Sequence, residues 1–327
     1  MRAAFYRKQG PAHDVLQLGE VPTPEPGPGE VRVKVHASGV NPSDWKTRKG
    51  GLRGMFAPLV IPHSDGAGVI DAVGPGVDRS RIGRRVWIWN GQWKRAFGTA
   101  AEYIALPSAQ AVDLPPETDD AAGACLGIPA FTAWQALRLA NVAEGTTLFV
   151  TGGAGSVASY AIQIAKARGA RVITTVSSDE KAARARGAGA DATIDYRTED
   201  VGQRVKALTG DRGVDALIEM DLNNNAKAYP SLLAPHATVV VYGMSATEAT
   251  LPSMWMMQNS IDMRLFLIYE ISETDRAAGI AELSKLLEDG RLIHNVALRL
   301  PLERIADAHD ILERGEVVGN VVLDVVR

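Results

Sequence analysis

Cysteine is almost absent from this chain. One residue in 327, Cys125, excludes an intrachain disulfide and a four-cysteine metal site, and it fits a reducing compartment, the cytoplasm. Charge of one sign is also lacking. Thirty-five basic residues stand against 38 acidic ones, a net charge of −3. With no basic tract interleaved with aromatics, no nucleic-acid partner is expected. No apolar run is long enough to span a bilayer, and no charged segment followed by an apolar one opens the sequence. Neither membrane association nor a secretory leader is therefore expected. Internal repeats and low-complexity stretches are missing too, so the length is read as two ordinary domains with real cores.

What is present is concentrated between Thr146 and Ser178, TTLFVTGGAGSVASYAIQIAKARGARVITTVSS. Thr147 to Thr151 is a β-branched, apolar strand. Val157, Tyr160, Ala161, Ile164, Ala165 and Ala167 then recur at helical spacing. Gly169 can end that helix, and Arg171 to Val176 resumes as strand. Gly152, Gly155 and Ala158 form a G-x-x-G-x-x-A variant of the dinucleotide turn. Gly152 or Gly153 would allow the sharp turn, Gly155 would let a pyrophosphate approach, and Ala158 would let the helix lie near the sheet. Free N–H groups at the helix start, around Ser156 and Val157, would face the phosphates. No lysine followed by Ser or Thr accompanies the turn, which argues against an ATPase.

The coenzyme preference is read at the end of the second strand. An NAD site usually places an acid there for the ribose 2′-hydroxyl. Here Val176, Ser177 and Ser178 stand instead, and Asp179 and Glu180 suit the start of the next helix. Hydroxyls with Lys181 would receive a 2′-phosphate, and Tyr196 and Arg197 would close the adenine side, so NADPH is expected over NADH.

The remaining pattern divides the chain. Met1 to Tyr6, Glu30 to Val40, Ala67 to Val73, Arg85 to Trp89 and Ala101 to Leu106 read as strands between proline and glycine turns. Leu126 to Ala140 reads as a bridging helix. Strands at Ala192 to Asp195, Val214 to Glu219, Thr238 to Tyr242 and Arg264 to Tyr269 then alternate with helices. Two of those helices are placed at Ala226 to Leu233 and at Glu273 to Glu288, the latter with Ser272 as N-cap. Val296 to Leu300, Leu302 to Glu313 and Val321 to Val325 give a final strand, helix and strand. The expected class is α/β, a doubly wound parallel sheet plus a β-rich domain. The expected domains are a catalytic one over 1–125, a nucleotide-binding one over 126–265, and a return segment over 266–327 whose end completes the first.

With those motifs in order, the chain resembles the zinc-independent quinone oxidoreductases, zeta-crystallin-like members of the medium-chain dehydrogenase/reductase superfamily. The resemblance runs nearly end to end. It is carried by VKVHASGVNPSDWKTRKG (Val33 to Gly50), IPHSDGAGVIDAVGPGV (Ile61 to Val77), IPAFTAW (Ile128 to Trp134), GGAGSVA (Gly152 to Ala158), VVVYGM (Val239 to Met244) and GNVVLDV (Gly319 to Val325). It implies a GroES-like catalytic domain, a Rossmann coenzyme domain, NADPH as hydride donor and often a homodimer. The implied acceptor is a quinone, or the double bond of an enone or 2-alkenal.

The resemblance places Asn41 beside the nicotinamide and Asp44 in the same loop. Ser177, Lys181 and Tyr196 fall on the 2′-phosphate, and Asn320 near the coenzyme. Thr132, Gly152, Gly153, Gly155, Ser156, Val157, Tyr242 and Gly243 lie in the other matching segments. Where the family often has tyrosine this chain has Lys46, whose ammonium would orient or protonate an acceptor. Lys46, Tyr242 and Arg48 are candidate donors to the developing oxyanion. Trp45, Trp87, Trp89, Trp93 and Met254 to Met257 are candidates for an acceptor pocket. Trp87 and Trp89 fit the face of a core strand equally, and the methionine segment fits a dimer interface. A zinc-binding relative needs a cysteine in the Ser38 to Asn41 loop, where this chain has none. Ser64, with His63 beside it, holds the position of the usual histidine. His63 and Asp65 alone make a poor metal pair, so no metal is expected. A protein that binds NADPH without turning over an acceptor is the rival of another class.

Overall fold

The computed structural model describes residues 1–51 and 54–325. Two compact units divide the chain. The first holds Met1–Pro129, Ser284–Gly290 and the described residues from His294 onward. The second holds Ala130–Leu283 and Arg291–Ile293.

In the first unit β1 (Arg2–Phe5) and β2 (Gln17–Glu20) pair antiparallel. β3 (Glu30–Val40) is the backbone of the larger sheet. Its alternation puts Val31, Val33 and Val35 in the core, with Arg32 on the other face paired to Asp71 at 3.0 Å. From Ala37 to Val40 both faces are buried, with the backbone at Ala124 packed over the face at Gly39. A Cβ at Gly39 would lie 2.0 Å from the Ala124 carbonyl. β4 (Asp65–Val73), β5 (Arg85–Ile88), β6 (Tyr103–Pro107) and β7 (Ala111–Asp113) continue the sheet antiparallel.

The second unit is a parallel sheet of β8 (Thr147–Val150), β9 (Arg171–Val176), β10 (Ala192–Asp195), β11 (Val214–Glu219), β12 (Leu233–Val241) and β13 (Asp262–Leu265). Their order is β10-β9-β8-β11-β12-β13. The winding reverses between β8 and β11, which makes the ends of those two strands the switch point of a doubly wound sheet. β14 (Val296–Pro301) and β15 (Asn320–Asp324) then return to the first sheet, where β15 pairs antiparallel with β3.

Several expected elements differ in detail. The bridging helix is broken at Pro129, whose missing N–H cannot serve a regular α-turn. Leu126–Ala130 is a wide π-turn and Phe131–Leu139 the α-helix. The helix after the glycine turn, Ser156–Ala167, is buried at every residue from Ala158 to Ala165, not on one stripe, because it packs on both the sheet and helix Phe131–Leu139. The stretch 226–233 is two short turns, Ala226–Ala228 and Tyr229–Leu232. The sixth strand ends at Leu265, short of Tyr269. Helix Glu273–Glu288 has the expected bounds, and its cap is Ser272, whose Oγ accepts from Asp275 N–H at 3.1 Å. That helix stays with the second unit as far as Leu283. Trp134 and Arg168 both hold Glu282, and a Cβ at Gly279 would meet the Phe131 ring at 2.5 Å.

Candidate active site

In the second unit the sequence-selected residues gather at one edge. Gly152, Gly153, Gly155, Ser156 and Val157 follow β8, Ser177 follows β9, Tyr196 follows β10, and Tyr242 and Gly243 follow β12. All are C-terminal ends of parallel strands, the edge at which open α/β sheets bind ligands. Thr132 is buried in helix Phe131–Leu139.

Two glycines of the turn are sterically required. Gly152 has φ +66°, and a Cβ there would lie 2.4 Å from Met220 Sδ. A Cβ at Gly153 would lie 2.2 Å from Thr174 Oγ1. Gly155 is under less pressure, with its nearest neighbour at 3.2 Å, and it forms the N-cap of the helix. The N–H groups of Gly152 and Gly153 are spent on Thr175 Oγ1 and O at 3.0 and 2.9 Å. Gly155 N–H is spent on Gly152 O at 2.9 Å. The amides left for an anion are therefore those of the first helical turn, at Ser156 and Val157.

At the tip of β9 the ammonium of Lys181 donates to Ser177 Oγ at 2.7 Å. Ser178 caps helix Asp179–Gly187 by accepting from Lys181 N–H. Glu180 turns to Arg184 at 3.0 Å, the pairing expected of a helix-start acid. A cation, a hydroxyl and a helix start thus meet at a strand tip without a carboxylate, a set that fits a phosphate monoester. Tyr196 is exposed nearby in sequence, and Arg197 N–H donates to Asp195 Oδ1 at 3.0 Å. Burial, with the neighbouring Glu219 charge, raises the Tyr242 phenol above its ordinary value.

The first unit holds a second group of expected residues. Asn41 is the last residue before helix Pro42–Lys49 and is almost fully buried. Its backbone N–H donates to Asp44 Oδ2 at 2.7 Å, and its Nδ2 donates to Asp65 Oδ2 at 2.9 Å. Asp65 Oδ2 also accepts from Ile128 N–H at 3.0 Å. The side chain of Asn41 is thereby turned with its amide nitrogen to Asp65. Burial pushes the Asp44 carboxyl up to about 7, partly offset by the Asn41 N–H. Asn320 opens β15 one step beyond the Val321–Val40 pair, which sets it beside the Asn41 end of β3. Its Nδ2 donates to Asn295 O at 3.2 Å.

The candidate donors separate. Lys46 Nζ lies 5.7 Å from the centre of the Trp45 ring. Arg48 is fully buried, bonded to Gly10 O at 2.5 Å and to Glu313 at 2.9 Å. It is a strut between helices Pro42–Lys49 and Ile305–Glu313 and not a solvated loop residue. Trp87 is completely buried and belongs to the core, while Trp89 is half-buried and donates to Ala109 O at 3.2 Å. Met254 and Met257 are exposed on helix Ser253–Gln258.

His63 and Asp65 point apart. His63 has φ +78°, and its ring bonds Ser38 Oγ through Nδ1 and His309 Nε2 through Nε2, each at 2.9 Å. Thr99 Oγ1 donates to Asp65 O at 2.5 Å, so Ser38 donates to Thr99 and accepts from His63 Nδ1–H. His63 Nε2 must then accept from His309. Burial pushes His63 down to about 3 and His309 well below its ordinary value. Among the described residues no three His, Cys, Asp or Glu side chains gather as a metal site.

Three site-shaping residues were not assigned these roles from sequence. Asp65 was seen only as half of a metal pair. His309 and Glu219 carried no local signal. Glu219 ends β11, and burial raises its carboxyl, partly offset by bonds from Asp221 N–H, Asn225, Thr151 and Tyr229.

The family described as alcohol dehydrogenase GroES-like domain matches residues 27–116, and that described as zinc-binding dehydrogenase matches 156–285. A quinone oxidoreductase of Rattus norvegicus is 32% identical over 95% of this chain and 94% of its own. A solved NAD-dependent alcohol dehydrogenase superposes with a TM-score of 0.91 at 31% identity, covering 100% of both chains. A mycobacterial protein solved in complex with NADPH superposes with a TM-score of 0.88 at 29% identity, covering 99% of this chain and 100% of its own.

Proposed function

This chain belongs to the quinone oxidoreductase, zeta-crystallin-like family of the medium-chain dehydrogenase/reductase superfamily, and we propose that it is an NADPH:quinone oxidoreductase working without zinc. The observation that carries the coenzyme choice is the Lys181–Ser177 pair at the tip of β9, where a 2′-hydroxyl reader would place an acid. The first-turn amides at Ser156 and Val157 hold the pyrophosphate, with Gly152 and Gly153 clearing the approach. Ser177, Lys181 and Tyr196 hold the 2′-phosphate. Thr132, Tyr242, Gly243 and Asn320 complete the coenzyme contacts.

When bound, the reduced nicotinamide supplies the hydride. The chain's own task is to orient and to exclude water. Asn41 presents a carboxamide whose direction is fixed by Asp65, and Asp44 holds its backbone. Lys46 supplies the donor for the charge that develops on the acceptor oxygen. A quinone can take its final proton from solvent, so no dedicated acid is required. Zinc independence rests on the lack of a cysteine in the Ser38 to Asn41 loop and on Ser64 standing where a relative has histidine. A homodimer is part of the proposal, formed through the open edge at β13, where Leu265 is exposed. So is a cytoplasmic location, consistent with a single buried cysteine.

NADPH oxidation followed anaerobically in metal-free buffer tests the reading, with a para-quinone and a medium-chain 2-alkenal side by side. Rapid quinone turnover that survives a chelator is expected. Saturated aldehyde as the main product would move the protein to the double-bond reductases. NADPH binding without turnover of either would overturn the enzymatic reading.

A further inference from the structure

The two strands at the switch point of the parallel sheet are clasped by a buried carboxylate. Glu219 closes β11 and is wholly buried. Its Oε1 meets three donor groups, Asp221 N–H at 2.7 Å, Asn225 Nδ2 at 2.8 Å and Thr151 Oγ1 at 3.2 Å, the last sharing its single proton with Ile218 O at 3.1 Å. Its Oε2 meets Tyr229 OH at 3.3 Å. Thr151 is the residue between β8 and Gly152. Its Oγ1 also accepts from Met220 N–H at 2.9 Å. Met220 in turn lies against the turn: its Sδ faces Gly152, and its carbonyl lies 2.2 Å from where a Cβ on Gly243 would stand. Tyr242 N–H donates to Glu219 O at 3.1 Å, which ties in the end of β12. The glycine turn, the Met220–Asn225 segment and the Tyr242–Gly243 segment therefore share one anchor.

We propose that Glu219 is a positioning residue for the coenzyme, holding Thr151 and Met220 so that the glycine turn and the ends of β11 and β12 keep the spacing the dinucleotide needs. The inference rests on the proposed coenzyme reading. It goes beyond it in assigning affinity to a residue that is buried behind the turn. The bonding pattern says which feature matters. Oε1 carries three donors and must be an acceptor. Oε2 carries one, from a hydroxyl that is able to accept as well as donate. Glu219→Gln keeps the acceptor at Oε1 and lets its new NH2 donate to Tyr229. Glu219→Leu keeps the bulk and removes both acceptors. Thr151→Val removes the hydroxyl that bridges β8 to Glu219 and Met220.

The experiment is a fluorescence titration of the full-length protein with NADPH at 25 °C, alongside steady-state kinetics with a para-quinone and a melting temperature for each variant. Glu219→Leu is expected to raise the NADPH Kd about thirtyfold and Thr151→Val about fivefold, the loss of charge-assisted and single hydrogen bonds respectively. Glu219→Gln is expected to stay within about threefold of wild type. In Thr151→Val and Glu219→Gln, kcat at saturating NADPH and the quinone KM should hold. The double variant Thr151→Val/Glu219→Leu should bind no worse than Glu219→Leu alone, because both changes remove one clasp. A Thr151→Val protein that binds NADPH as wild type does would overturn the inference, and that variant decides the matter if Glu219→Leu fails to fold. Additive effects in the double variant, or a fall in kcat with unchanged Kd, would overturn it too. A wild-type protein that binds no NADPH would instead sink the coenzyme reading itself.

Discussion

The two units differ in where their site-forming polar side chains lie. In the parallel sheet of the second, Thr151, Ser177 and Glu219 stand at or just past the C-terminal strand ends, and Lys181 reaches Ser177 from the helix that follows, while Thr174 within β9 and Arg276 are buried exceptions. The first unit carries charge and imidazole inside: Asp44, Arg48, His63, Asp65 and His309 are all buried. Substitutions at the edge of the second unit should therefore register in ligand affinity. Substitutions in the interior of the first should register in stability and in its dependence on pH, since a buried polar group that loses its partner is costly.

The sharpest break in this contrast is Arg48→Ala. It leaves Gly10 O and Glu313 without their cation and opens a hole at a fully buried position. A loss of about 3 kcal/mol is expected in urea unfolding. Arg48→Lys should recover only part, because one ammonium cannot span both partners in the same planar fork.

Next comes pH. An imidazole held near 3 binds fewer protons folded than unfolded, so the His63 contribution is complete above about 6.5 and is lost as pH falls toward 3. Asp44 acts with the opposite sign. Its carboxyl, ordinarily at 3.8 and raised to about 7, favours the folded state in acid and ceases to do so as pH rises through that window. Asp44→Asn removes the opposing partner. Acidification from about pH 7 to about pH 5 should then cost the variant on the order of 2 kcal/mol more than the wild type, read from unfolding at each pH. Equal slopes in the two proteins would refute the assignment.

Smaller effects should appear at the coenzyme edge. Lys181→Ala is expected to weaken NADPH about tenfold while leaving NADH unchanged and the melting temperature nearly so. Equal loss for both coenzymes would blur the distinction between the units. Ser178→Ala, which removes a helix cap beside that pair, should cost about 1 kcal/mol or less in stability.

How much of this was legible in the sequence follows the same division. The β8 turn, Ser177 and Lys181 are readable because their partners are near in sequence, Lys181 reaching back four residues to Ser177. That the tail could return to the first domain was read from its strand, helix and strand pattern; its pairing with β3 was not. Asp65 and Glu219 were missed because what makes them matter lies far along the chain. Asp65 meets Asn41 from 24 residues away and Ile128 from 63, and Thr151 meets Glu219 from 68. Arg48 was read as a candidate donor to the acceptor, and its role as a buried strut was missed because Glu313 stands 265 residues off. Burial of a charge leaves no periodic mark, and the residues flanking Arg48, Lys46, Thr47 and Lys49, are polar.

The pairing of β15 with β3 has a consequence for synthesis. On the ribosome the second unit is a nearly continuous stretch, and its sheet can close once β13 has emerged. The first unit begins earlier yet cannot finish: β6 covers Glu30–Lys34 of β3, but the Ala37–Val40 end of that edge stays open until Asn320–Asp324 is made. The order of completion is thus the reverse of the order of translation. A nascent chain that has emerged from the ribosome as far as position 290 would display a finished parallel sheet tethered to an unfinished first unit, with the Ala37–Val40 end of β3 exposed as a template for other strands.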